Sequence, residues 1–111
     1  MPEIEFSTAR TNPRFSFVAE AEVLGESNQA CVTARVSELS SRGCYIDTIN
    51  PFSLGEELRF KIRYGCSTCI VPGKVIYSHS GFGMGVLFGK MATGDRATLE
   101  SWLDELARKA G

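Results

Sequence analysis

Between Leu58 and Tyr64 the chain alternates without a break: Leu58, Phe60, Ile62 and Tyr64 are large and apolar or aromatic, and Arg59, Lys61 and Arg63 between them are cationic. A period of two places the four large side chains on one face of an extended strand and the three charges on the other, whereas a helix would scatter both sets around its circumference. This stretch has to be a strand with one packed face and one wet face. The pattern recurs. Phe15, Phe17, Ala19, Ala21 and Val23 oppose Ser16, Glu20 and Glu22, and Val32, Ala34 and Val36 resume the alternation. Shorter apolar runs follow at Cys44–Thr48, Ile70–Tyr77 and Phe82–Phe88.

Turn-forming residues separate these runs: Gly25 to Gln29, the Ser- and Gly-containing stretch Ser37 to Gly43, Asn50 to Gly55 with Pro51, Gly65 to Cys69, and Ser80-Gly81. The expected fold is mainly β. About six antiparallel strands joined by short turns favour a small closed barrel over an open roll, because closure leaves no unpaired edge. The tail changes period. Leu99, Trp102, Leu103 and Leu106 recur at i, i+3, i+4 and i+7, the stripe of an amphipathic helix. Asp95 or Thr98 is the expected cap, and Arg108 and Lys109 lie at the end of the helix dipole that favours cations. The apolar stripe is expected to cover the barrel itself.

The chain therefore divides into a flexible N-terminal arm over residues 1–13, stiffened at Asn12-Pro13, a six-stranded antiparallel β-barrel over 14–92, and a C-terminal amphipathic helix over 93–110. At 111 residues this is room for one domain. Twelve Lys and Arg against thirteen Asp and Glu give a net charge of -1, which offers no bulk attraction for DNA or RNA. No run reaches the roughly 20 apolar residues that span a bilayer, and the first ten residues have neither a basic nor an apolar leader segment, so the expectation is a cytoplasmic protein without membrane insertion.

Two segments have residues suited to ligand chemistry. Arg10 and Arg14 stand four apart where the arm meets the first strand; guanidinium forks grip phosphate oxygens and stack on bases. A second pair at the same spacing, Arg59 and Arg63, is accounted for by the wet face of its strand. The loop Glu38-Leu-Ser-Ser-Arg-Gly43 combines a carboxylate, which can accept from the N1–H and N2–H edge of guanine, with hydroxyls at Ser40 and Ser41 and a glycine where a ligand can approach the backbone.

In this order, an Arg-x-x-x-Arg pair before the first strand, then x-Ser-x-x-Gly after the second, then strands and a terminal helix, the sequence resembles the PilZ domain family over roughly residues 8 to 108. Gly83-Met-Gly-Val-Leu-Phe88 is similar to the glycine-then-apolar strand late in such domains. The resemblance implies a six-stranded barrel and a bacterial second-messenger receptor that binds cyclic diguanylate and acts on a protein partner. It also implies site residues: Arg10 and Arg14 on phosphate and guanine, and Glu38, Ser40 and Gly43 lining the pocket for one guanylate half. Glu38 stands where the family usually has Asp or Asn and is one methylene longer than Asp, and Ala9 stands where many binders have another long residue. The other reading on the same fold is an adaptor that binds no nucleotide and acts by protein–protein contact.

The remaining candidates are weaker. Cys66-Ser-Thr-Cys69 has the spacing of a zinc knuckle or a redox pair, but no second Cys-x-x-Cys accompanies it, and Cys31 and Cys44 lie in apolar strand contexts. Plain thiols are expected, with no metal and no cofactor. His79 is the only histidine and has no nucleophile or carboxylate at a spacing that marks a triad. The chain is thus read as a binding module and not an enzyme. A single-stranded nucleic-acid barrel would need aromatic platforms in a basic groove, and the aromatics of the Leu58–Tyr64 and Tyr77 region are expected to fall mostly on the inward face.

Overall fold

The computed structural model describes residues 14–25 and 31–110. The arm with Arg10 and residues 26–30 lie outside these residues. Six strands, β1 (Phe15–Gly25), β2 (Cys31–Leu39), β3 (Gly43–Asp47), β4 (Glu57–Tyr64), β5 (Ser67–His79) and β6 (Gly83–Phe88), precede one helix, α1 (Thr93–Ala110). All neighbouring strands are antiparallel, and the sheet closes in the order β1-β2-β3-β6-β5-β4. The mainly β, six-stranded barrel with a C-terminal helix is therefore the fold. It is not a simple meander. After β3 the segment 48–56 leads to a strand that is not its neighbour: β3 pairs with β6, and the closing seam joins β1 to β4.

Each alternating run turns its apolar set inward. Phe17, Ala19, Ala21 and Val23 of β1 and Leu58, Phe60 and Ile62 of β4 are buried. Across the β1–β4 seam, Glu20 and Glu22 pair in register with Arg63 and Lys61 on the wet face. Arg63 sits 3.7 Å from Glu20 and 3.5 Å from Glu22. This second arginine pair is a solvated strand face, as its period implies.

The β4–β5 connection is tighter than the turn residues imply. Tyr64 pairs with Ser67, leaving a two-residue turn of Gly65, with φ of 63°, and Cys66. Cys69 is consequently inside a strand and buried, while Cys66 is exposed at the turn. The two cysteines of the Cys-x-x-Cys therefore occupy different environments. Pro72 is tolerated mid-strand because β5 meets β6 only from Gly73 onward, so its missing N–H removes no ladder bond there.

Helix α1 lies over β5 and β1. Leu99 is fully buried, Trp102 is 4% exposed, and Leu103 and Leu106 pack partly against the same core. Trp102 meets Phe17 at 5.7 Å and Tyr64 at 5.6 Å between ring centroids. The helix starts earlier than its expected caps. Arg96 N already donates to Ala92 O, and Thr98 Oγ1 donates back to Gly94 O from within the helix. The Asp95 carboxylate is drawn instead to the Ile70 amide of β5, at 3.0 Å, where it ties the first helical turn to the barrel. None of the described helices is long and apolar enough to cross a membrane.

Candidate functional site

Two irregularities in the sheet set the geometry of the Glu38 region. Between β2 and β3 the register runs Val36 to Ile46 and then Glu38 to Tyr45, so β2 has one residue more than its partner. The bulge reverses the phase of β2: Val36 and Leu39 both point inward, and Glu38 is turned out. A matching shift between Ser16 and Ala19 of β1 keeps Ser16 opposite Glu38. Arg14, immediately before β1, is thereby carried to Glu38, its guanidinium Nη1 3.6 Å from the carboxylate Oε1. Both side chains are exposed.

The turn after β2 is built around Ser40. Its hydroxyl donates to Gly43 O at 3.2 Å and accepts from the amides of Arg42 and Gly43 at 3.3 and 3.2 Å, while the Ser40 amide donates to Gly43 O at 2.9 Å. Ser40 is buried, so its hydroxyl holds the shape of the turn. Gly43 is required by close approach: a Cβ there would overlap the Val86 carbonyl oxygen of β6. Of the residues read from sequence, Arg14 and Glu38 meet on the outer face, Ser40 and Gly43 shape the adjoining turn, and Arg10 lies outside the described residues.

A groove of about 390 Å³ opens beside that turn, lined by Ser41, Arg42, Leu87, Phe88 and Arg96. Arg96, from the first turn of α1, donates to Ser41 O at 3.3 Å. Further along the face, Arg35 pairs with Asp47 at 3.1 Å, and Ser37 Oγ donates to the same carboxylate at 3.0 Å.

Tyr45, Tyr77 and His79 lie on the same outer side, which corrects the inward placement of Tyr77. A bulge between Val75 and Tyr77 sets Tyr77 opposite Gly85 and leaves it 43% exposed. Its ring is parallel to that of His79 within 8°, with centroids 6.2 Å apart, and Tyr45 Oη shares a 3.2 Å hydrogen bond with His79 Nδ1. Plain alternation carried inward from Val71 and Val75 gives no warning of this change of phase.

The described thiols differ in their surroundings, Cys44 and Cys69 being buried and Cys66 exposed. Burial pushes the Cys44 thiol far above the usual range. Burial and, less strongly, the Asp95 carboxylate push Cys69 up to about 11. Its Sγ donates to the Asp95 carbonyl at 3.3 Å. No group of metal-ligating side chains gathers among the described residues.

A family model for the PilZ domain matches residues 8–105. The chain belongs to the PilZ domain family. Solved PilZ domains share its fold. The PilZ domain with c-di-GMP of YcgR from Escherichia coli aligns with a TM-score of 0.73 at 14% identity, over 89% of this chain and 92% of that one. The PilZ domain of CeSA from a cellulose-synthesizing bacterium aligns at 0.66 and 16% identity, over 85% and 97%. The Bacillus subtilis inhibitor of motility (MotI/DgrA) aligns at 0.68 and 20% identity; 91% of this chain is covered, but the chain spans only about half, 51%, of that protein. No protein of curated function matches by sequence.

Proposed function

We propose that this PilZ domain is a bacterial second-messenger receptor that binds cyclic diguanylate and passes the event to a protein partner. The observation that carries this reading is the meeting of Arg14 and Glu38, 3.6 Å apart on the outer face beside the Ser40–Gly43 turn, which joins the two halves of the family pattern. The pair is exposed, so its attraction is weak, about 0–1 kcal/mol. A ligand that offers a phosphate to Arg14 and a guanine edge to Glu38 exchanges one weak internal contact for two charge-assisted ones. Arg10 is the second phosphate ligand on this reading, and Ser40 and Gly43 act by holding the turn that the ligand rests on. The YcgR domain solved with c-di-GMP is only 14% identical to this chain, so the test is made on this chain. Calorimetric titration with cyclic diguanylate should show saturable binding that is lost in Arg14→Ala and Arg10→Ala. Absence of heat, with absence of binding by equilibrium dialysis, would overturn the receptor reading.

The adaptor reading has its own observation. Ile49 and Phe82 are 74% and 76% exposed at one end of the barrel, on loops joined by backbone bonds from Gly81 N to Ile49 O and from Thr48 N to Phe82 O. Partner binding that is abolished by Phe82→Ser but unchanged by Arg14→Ala and by the nucleotide would favour it.

A further inference from the structure

The outer face next to Glu38 carries an aromatic floor. Directly opposed residues of antiparallel strands share a face, and one such row runs Glu38 on β2, Tyr45 on β3, Gly85 on β6 and Tyr77 on β5. The next row places Asp47, Gly83 and His79 alongside. The two glycines put no side chain between the rings. The Tyr77 ring lies where a Cβ on Gly85 would be, and a Cβ on Gly83 would come within 2.7 Å of Tyr45 Cε2. The Tyr77 and His79 rings are parallel within 8° with centroids 6.2 Å apart, and Tyr45 is inclined to His79 by 32° and hydrogen-bonded to it. The acid of the second row, Asp47, is already paired with Arg35. Tyr77 and His79 are exposed on this face, Tyr45 is half-buried beside them, and the exposed Glu38 carboxylate stands at one side.

We infer that Tyr45, Tyr77 and His79 form the stacking platform for a purine base whose hydrogen-bonding edge is taken by Glu38. The inference rests on the receptor reading and extends it to residues outside the arginine pair and the serine–glycine turn. From Glu38 to Gly85 is two interstrand steps, about 10 Å, so a base held by its edge at the carboxylate has its face over the rings. Stacking on aromatic side chains is tolerant of which base is offered and adds affinity; Glu38 adds the preference for guanine.

The rings also shelter glycine backbone, a purely structural use of aromatics in sheets. Two substitutions separate the roles. Tyr77→Leu keeps an apolar cover on Gly85 and removes the π-face, whereas Tyr77→Phe keeps both. In calorimetric titration with cyclic diguanylate, Tyr77→Leu is expected to weaken binding about ten-fold or more, with Tyr77→Phe close to the unaltered domain and both variants retaining its thermal midpoint. The His79 ring-proton resonances should move upfield on saturation. If the unaltered domain binds, Arg14→Ala does not, and Tyr77→Leu binds as tightly as the unaltered domain with no upfield shift of His79, the platform is wrong and the receptor reading stands. If the unaltered domain does not bind, both are wrong.

Discussion

Arg14 and Glu38 contribute little to folding and, on the proposed function, much to binding. Their ion pair is exposed at both ends, so removing it with Arg14→Ala should change stability by less than about 1 kcal/mol in urea unfolding while abolishing cyclic diguanylate binding. Glu38→Ala should weaken binding by about ten-fold or more, the usual loss for a hydrogen-bonded charge, and Glu38→Asp, which restores the shorter side chain usual in the family, should equal or exceed the unaltered affinity. Cys69 behaves oppositely, as a residue of the core. Its thiol is raised to about 11 in the folded protein against 9.0 for the free group, so the folded state holds its proton more tightly than the unfolded state. The resulting stabilisation is complete below pH 9 and is lost as pH rises from about 9 through 11. Alkaline unfolding midpoints should therefore fall less steeply in Cys69→Ala than in the unaltered protein. At pH 7.5 a thiol reagent should modify exposed Cys66 rapidly and leave Cys44 and Cys69 protected, as read by peptide mass spectrometry.

Helix α1 is held to the barrel by an apolar stripe and one polar tie. Leu99 is fully buried and Trp102 packs against Phe17 and Tyr64, and Asp95 accepts from the Ile70 amide. Trp102→Ala removes the largest of these groups and should cost about 3–5 kcal/mol in urea unfolding. Because Cys69 lies beneath the first turn of the helix, the same substitution should expose it to the thiol reagent. Strands β3 and β6 meet under different constraints. Gly43 is placed against the Val86 carbonyl, so Gly43→Ala must push the two strands apart, at a cost of about 1–3 kcal/mol. On the proposed function such a variant should also weaken binding through the shape of the turn, and its loss of stability would distinguish it from Arg14→Ala.

As a whole the molecule is a closed barrel with its candidate site on the outside, across β2, β3, β6 and β5, while α1 covers β5 and β1. The barrel core is filled by its own side chains, Phe60, Ile46, Leu58 and Met84 among them, so the candidate site lies at the surface and not in a lumen. Binding at a site formed only in the folded state stabilises that state by mass action. With nucleotide at about 100 times its dissociation constant the stabilisation is about 2.7 kcal/mol, equivalent to roughly 10 °C in the thermal midpoint of a domain of this size. Differential scanning fluorimetry should show that shift in the unaltered domain and none in Arg14→Ala.

The architecture was legible in the amino-acid order because its causes are local. Alternation at Leu58–Tyr64 specifies a half-buried strand whatever its neighbours, and the 3–4 spacing of Leu99, Trp102, Leu103 and Leu106 specifies a helix with one apolar stripe. Arg14, Glu38, Ser40 and Gly43 were visible as candidates through their spacing in a family pattern. The assembled face was not visible there. Where β2 and β5 reverse phase depends on a residue inserted against a shorter partner, at Ser37 beside Tyr45 and at Ile76 beside Gly85, and a strand does not encode the length of the strand it will pair with. The pairing of β3 with β6 in place of β4 is likewise a property of the closed sheet. These long-range choices turned Tyr77 outward, brought Tyr45 and His79 within hydrogen-bond reach, and set Glu38 beside them, because side-chain direction in a sheet follows register, and register is settled only when both partners are in place.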